Sequence, residues 1–333
     1  MCHVKHFVVI TLYRGIGIGD YMDKPRIKRV DIPKNKRVIC ISDIHGEVDL
    51  LKELLENIGF CDNDVLVILG DFYTKGSQCH PCFQFVMDLE LDGGGNVHVL
   101  RGNADWGSDD YLSDEEQGWL DGLPHIIDSP DFVFVHAGLG PGNLEGQNAK
   151  YCMRNEAFLE NTTGFDKWVM VGHWPVGMYC HETPCNNPIV DKERRIIAID
   201  GGNVVKRDGQ LNAFIICGGE FSYQYVDRFP KMTAKMDQDG CEGSLHITWL
   251  DRFVKVVEEG IEFSVVCHLK SGKTLLVPNS AIWRDNDGSI CICDLATDHW
   301  LSVKGGDVVS VVEVFSDRMF AKLNGVAGWL RIN

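Results

Sequence analysis

Six positions in this chain carry residue types that bind metals, and each follows directly on a short apolar run. The runs are Val38–Ile41, Val65–Leu69, Val97–Leu100, Phe132–Val135, Trp168–Val171 and Ile196–Ile199. In the same order they lead into Asp43-Ile44-His45, Gly70-Asp71, Gly102-Asn103, His136-Ala137-Gly138, Gly172-His173 and Asp200-Gly201-Gly202. Asp43 and His45 are one residue apart, so on a segment that stays extended both side chains point to the same side. A carboxylate and an imidazole held together in that way can share one metal ion. Accident accounts for any one of the six positions, but not for the ordered series.

The elements that must position these residues follow from the same pattern. Short, wholly apolar runs are the mark of buried parallel strands, and open α/β sheets place their ligands at the carboxyl ends of such strands. Leu50, Leu51, Leu54, Leu55 and Ile58 repeat at helical spacing and Gly59 ends that helix. Phe83, Phe85, Val86 and Leu89 predict a second helix, closed by Gly93-Gly94-Gly95. Alternating strands near Leu211–Cys217 and Phe221–Val226 close a domain spanning 37–226. An N-terminal arm, 1–36, precedes it and a polar linker, 227–244, follows. From 245 to 333, short alternating segments separated by Ser271-Gly272, Asp285-Asn286-Asp287-Gly288, Gly305-Gly306-Asp307 and Asn324-Gly325 predict a small antiparallel barrel.

Composition narrows the partners. The 333 residues are 44% hydrophobic and 24% charged, as in soluble globular proteins, with room for two cores. A net charge of −16 argues against a nucleic-acid or membrane-surface binder, which needs basic surface. Thirteen cysteines cannot all pair, and many lie in apolar runs, so they read as buried free thiols of a reducing compartment. The apolar run Phe7–Tyr13 is too short to span a membrane and has no cleavage site after it, so a cytoplasmic location is expected. Cys79-His80-Pro81-Cys82 has the spacing of half a zinc site, but no second such pair follows, and it reads as coincidental loop cysteines.

Taken together, the blocks resemble the calcineurin-like metallophosphoesterases, in particular the phosphoprotein phosphatase branch and its bacterial serine/threonine phosphatase-like relatives. The resemblance covers roughly residues 37–226 and implies a four-layer αββα sandwich. It implies two divalent ions, with Asp43 and His45 on the first, Asn103, His136 and His173 on the second, and Asp71 bridging them. Mixed oxygen and imidazole donors suit Mn²⁺, Fe or Zn²⁺. A hydroxide shared by the two ions would attack phosphorus, with Arg154 and Asn103 on the phosphate of a phosphoprotein or nucleotide-type substrate. The closing segment Ala321–Leu330, with Gly328-Trp329, resembles bacterial SH3-like barrels, which implies a peptide or protein partner for 245–333.

The departures from that pattern are as informative. Serine, Ser42, stands where the family has the first glycine of its Asp-x-His block. Ala104 stands where it has a histidine that protonates the leaving oxygen, and Thr74 where it has the aspartate that orients that histidine. Such an acid contributes about 10²–10⁴-fold. Lys75 replaces an arginine and keeps charge without bidentate geometry, while Asp105 replaces a glutamate. Lys75, Asp105, a Lys75–Asp105 pair or His80 are the candidates for a substitute. The expectation is a phosphoesterase that cleaves good leaving groups. Its rival is a metal-binding pseudo-phosphatase that recognises phosphorylated ligands.

Overall fold

The computed structural model describes residues 24–105 and 112–332. In chain order the first strands are β1 (Ile27–Arg29), β2 (Val38–Ile41), β3 (Val65–Ile68), β4 (Val97–Val99), β5 (Ile126–Asp128), β6 (Phe132–Val135), β7 (Trp168–Val171), β8 (Ile189–Asp191), β9 (Ile196–Ala198), β10 (Leu211–Cys217) and β11 (Glu220–Val226). The α-helices are α1 (Val48–Asn57), α2 (Cys79–Asp92), α3 (Asp114–Gly122), α4 (Ala149–Met153) and α5 (Phe158–Asn161). Two mixed sheets result, ordered β11-β10-β2-β3-β4 and β1-β5-β6-β7-β9-β8.

Period-two alternation sorts the residues of each central strand between two cores. On β2, Ile39 and Ile41 join Leu66 and Ile68 in a core covered by α1 and α2, through Leu51, Leu54, Cys82 and Phe83. Val38 and Cys40 of the same strand join Val65, Val67, Phe134, Met170 and Ile197 in a core between the two sheets. On the far side, Val133, Val135, Val169, Val171 and Ile196 pack on Cys152, Phe158 and Leu159 from α4 and α5. That is a helix–sheet–sheet–helix stack. Strands β2, β3 and β4 are parallel, as are β6, β7 and β9, so the six runs read in the sequence end in register within their sheets.

Two strands lie in stretches read as arm and linker. Ile27–Arg29 pairs parallel with β5, and β12 (Lys231–Thr233) pairs antiparallel with a strand near the C-terminus. The later strands are β13 (Val254–Glu258), β14 (Phe263–His268), β15 (Thr274–Pro278), β16 (Trp283–Arg284), β17 (Ile290–Cys291), β18 (Val308–Val314), β19 (Arg318–Leu323) and β20 (Val326–Arg331). They fall into sheets β12-β18-β19-β20, β13-β14-β15 and β16-β17. Among the described residues no closed barrel is found, and the SH3-like expectation is not confirmed. Turn signals locate hairpins but do not say which hairpins pair, and here β12 joins the last sheet from outside the predicted module. That sheet is fastened to the first domain, with Asn186 N donating to Gly325 O at 2.9 Å and Ala327 N to Pro184 O at 2.9 Å. The buried Lys322 Nζ lies 3.6 Å from Asp227.

The twelve cysteines among the described residues are unpaired. Cys40, Cys82, Cys152 and Cys291 are buried, six are half-buried, and Cys61 and Cys217 are exposed. No helix among the described residues is long and apolar enough to cross a membrane.

Candidate active site

Each of the chemistry-bearing residues sits just past its strand, where the chain leaves the sheet. The extended geometry assumed for Asp43 and His45 is not what forms. β2 stops at Ile41, and Asp43 and His45 take left-handed backbone conformations, φ 55° and 51°. Asp71 and His173 do the same, at φ 54° and 65°. Non-glycine residues hold such conformations only where their surroundings impose them, and such places cluster at functional sites. Here the loops are laced together: Asp43 N donates to Gly70 O at 3.1 Å and His45 N to Asp71 O at 2.9 Å.

Glycine is required where two of these loops touch. A Cβ on Gly102 would lie 2.1 Å from Asp71 Oδ1, and one on Gly172 would lie 1.8 Å from Ser42 Oγ. Ser42 itself donates its hydroxyl to Asp43 Oδ2, which also accepts from His173 N at 2.9 Å. Asp71 Oδ1 accepts from Ala104 N at 2.7 Å.

Two groups of side chains converge closely enough to hold a cation, and they share one residue. Asp43, His45 and Asp71 form one, and Asp71, His136 and His173 the other. His45 Nε2 is 3.6 Å from Asp43 Oδ1 and 3.9 Å from Asp71 Oδ2, and His136 Nε2 is 3.4 Å from Asp71 Oδ1. His136 Nδ1 faces Leu69 O at 2.7 Å and must donate to it, which leaves Nε2 with its lone pair inward. That lone pair faces the Asn103 side-chain oxygen at 3.0 Å. The same end of the amide stands 2.6 Å from His173 Nδ1 and 3.2 Å from Met153 O, and with the amide reversed its nitrogen donates to these atoms and to His136 Nε2. Carboxylate and imidazole groups converging in this way offer a donor set that fits a divalent cation.

The electrostatics of the buried cluster agree. Burial, and then the charge of Lys75, pushes His45 down to about 3. Burial and then His136 push His173 down to about 3. Both imidazoles are therefore neutral, the form that ligates metal. Burial and then Asp71 push Asp43 up, whereas Asp71 stays low because His136, His45, Lys75 and His173 outweigh its burial.

The substitute acids behave differently from one another. Asp105 is fully buried and turned to the backbone, accepting from Asp71 N at 2.7 Å, Gly102 N at 2.9 Å and Tyr73 N at 3.3 Å. Lys75 Nζ does not pair with it but lies 3.3 Å from His45 Nε2. His80 pairs with Glu116 on α3 at 2.9 Å. Thr74 Oγ1 donates to Ala104 O at 3.1 Å, so the residues in place of the dyad merely join two loops. Arg154 is exposed at the end of α4, and its charge is felt at His173. Cys79 donates to Gly76 O at 3.3 Å and Cys82 lies in the helix core.

Sequence reasoning missed three supports. Ser42 and Asp105 were read as departures rather than as partners of Asp43 and Asp71. Asn203, whose side chain donates to Ile44 O at 2.8 Å, holds the Asp43–His45 turn from the residue just after Asp200-Gly201-Gly202.

Comparison with known proteins bears on the same region. The family profile described as "Calcineurin-like phosphoesterase" matches residues 36–201. A "Bis(5'-nucleosyl)-tetraphosphatase, symmetrical" of Vibrio campbellii is 28% identical over 126 residues, 30% of this chain and 44% of that protein. Its counterpart in Vibrio parahaemolyticus is 26% identical over 131 residues, 34% of this chain and 48% of that protein. The chain thus spans under half the length of these curated relatives. A serine/threonine phosphatase structure from Saccharomyces cerevisiae is 10% identical, with a TM-score of 0.46, over 63% of this chain and 86% of that one. Residues 36–201 thus match the calcineurin-like phosphoesterase family, a class of hydrolases acting on phosphate esters.

Proposed function

We propose that this protein hydrolyses phosphate esters and anhydrides at a centre of two divalent ions, Mn²⁺ or else Fe or Zn²⁺. Asp43 and His45 would hold one ion, Asn103, His136 and His173 the other, and Asp71 would bridge them. Held so, two ions supply an activated water and neutralise phosphate oxygens. The observation that carries this reading is the pair of ligand groups meeting at Asp71, all but Asn103 and His173 fully buried. The chain's other residues do the positioning. Ser42, the His173 amide and the Ala104 amide fix the two carboxylates, and Asp105 ties the Asp71 loop to the Asn103 loop. Arg154 and Lys75 supply positive charge for the phosphate.

Ala104 and Thr74 leave no side-chain acid at the position where the resemblance expects one. Substrates whose leaving group departs as a stable anion need none. A bis(5'-nucleosyl) tetraphosphate, the substrate in the curated relatives' printed name, is of that kind, because a symmetrical split releases a nucleoside diphosphate. Phosphoserine is not, since its alkoxide must be protonated.

The test compares para-nitrophenyl phosphate, its bis-ester, a dinucleoside tetraphosphate and a phosphoserine peptide with added Mn²⁺, on the natural chain and Asp71→Asn. Expected are Mn²⁺-dependent release from the aryl and tetraphosphate substrates, phosphoserine slower by ~10² or more, and loss of all activity in the variant. Phosphoserine cleavage at the aryl rate would refute the missing acid. Tight metal binding without turnover of any substrate would refute the enzyme and favour a recognition module.

A further inference from the structure

One of the two ligand groups meets a cation of the chain's own. Lys75 Nζ lies 3.3 Å from His45 Nε2, the ring nitrogen that also faces Asp43 Oδ1 at 3.6 Å and Asp71 Oδ2 at 3.9 Å. An ammonium there stands against the ring nitrogen that would ligate an ion, and its charge is felt at Asp43 and Asp71. The other group meets the Asn103 oxygen instead.

The placement is imposed by the backbone. The turn Thr74-Lys75-Gly76 is pressed against the Asp43–His45 loop so closely that a Cβ on Gly76 would lie 2.0 Å from His45 O. Lys75 itself is left-handed, φ 81°, which a lysine adopts only under constraint. The residue as a whole is exposed, so its long stem lies at the mouth and has room to swing out.

We infer that Lys75 is a tethered cation that opposes a divalent ion at His45 Nε2, within the Asp43–His45–Asp71 group, so that the two metal sites fill unequally. This rests on the metal reading of those residues. An ammonium and a divalent ion about 4 Å apart repel strongly even under the screening typical of a protein surface. Entry of the second ion therefore requires the ammonium to leave, and a substrate phosphate that draws Lys75 outward would favour a fully loaded centre. A glutamine at 75 has no charge to move, and a glycine also suits the backbone.

The test is Mn²⁺ titration of the full metal-free chain by calorimetry, with electron paramagnetic resonance to detect a coupled Mn²⁺ pair. The natural chain should bind one ion tightly and a second at least tenfold more weakly. Lys75→Gln and Lys75→Gly should tighten the weaker event by tenfold or more and bring out the coupled signal at lower Mn²⁺, with the tighter event unchanged. Adding His45→Ala to either should remove the gain. Two equal affinities in the natural chain, or no change of the second affinity in both lysine variants, would overturn the inference and leave the two-ion centre standing. Failure of every chain to bind Mn²⁺ would overturn the metal reading, and the inference with it.

Discussion

On the proposed reading, Ala104 and Thr74 decide what kind of leaving group this centre would expel. Thr74 Oγ1 is already committed to Ala104 O at 3.1 Å, so neither residue presents a proton to the site. The loop that bears Ala104 is nevertheless held in place, with the Ala104 amide on Asp71 Oδ1 at 2.7 Å. A histidine side chain grafted at 104, with an aspartate at 74 to orient it, would start from a backbone already fixed beside the Asp71 carboxylate. The double variant Ala104→His/Thr74→Asp should raise kcat on a phosphoserine peptide by about 10²-fold and leave para-nitrophenyl phosphate within a few-fold of its starting rate. The ratio of the two rates is the measurement, because a general change in metal loading would move both together. Ala104→His alone should give less, since an unoriented imidazole samples unproductive rotamers.

The loops after β3 and β4 form one unit through Asp105. Its two oxygens take the amides of Asp71, Gly102 and Tyr73, which have no partner within a strand or helix. Asp105→Ala would leave the buried Asp71 and Gly102 amides unsatisfied, at roughly 1–3 kcal/mol each. Stability should fall by about 2–4 kcal/mol in urea unfolding, and Mn²⁺ affinity should fall with it because the Asp71 backbone is no longer held. Asp105→Asn keeps one acceptor and should lie between. This is also where the sequence ran out. The strands were legible because β2, β3, β4, β6, β7 and β9 are apolar throughout, and their ends were legible because a polar, glycine-flanked residue follows each. Asp105 has no such mark: it was visible only as a shortened glutamate, and its partners are amides whose direction depends on the left-handed turns at Asp71 and Lys75. Likewise β1, β5 and β8 are three residues long, too short to show a period, and are held by neighbours distant in sequence. The pairing within the C-terminal sheets was hidden for the same reason, since β12 finds β18 across more than seventy residues.

Across the whole molecule, the free thiols govern how stability responds to alkali. Burial pushes Cys82, Cys152 and Cys293 up to about 12 and Cys180 to about 11, and raises Cys40 further still. An unfolded thiol titrates near 8.5. The folded state therefore binds these protons more tightly, so the stability they contribute is full below about pH 8.5 and is lost as pH rises toward 11–12. Each thiol removes about 1.4 kcal/mol per pH unit in that window. Lys322 acts the other way: burial lowers it to about 8, against about 10.4 unfolded, so from pH 8 to 10.4 folding gains a similar slope from this one group. Five thiols against one lysine leave a net loss of roughly 5.6 kcal/mol per pH unit once all are titrating. That exceeds what a domain stable by about 5–15 kcal/mol can absorb over two or three units. Under reducing conditions, urea midpoints should hold steady up to about pH 8.5 and collapse by about pH 10. Cys40→Val, which keeps an apolar group of similar size in the core between the sheets, should flatten the slope by about 1.4 kcal/mol per unit. Lys322→Met should steepen it by the same amount, because the opposing gain disappears. A midpoint that stays level through pH 10 would mean that the buried thiols are reached by water in the folded state, and that the core between the two sheets is looser than its packing shows.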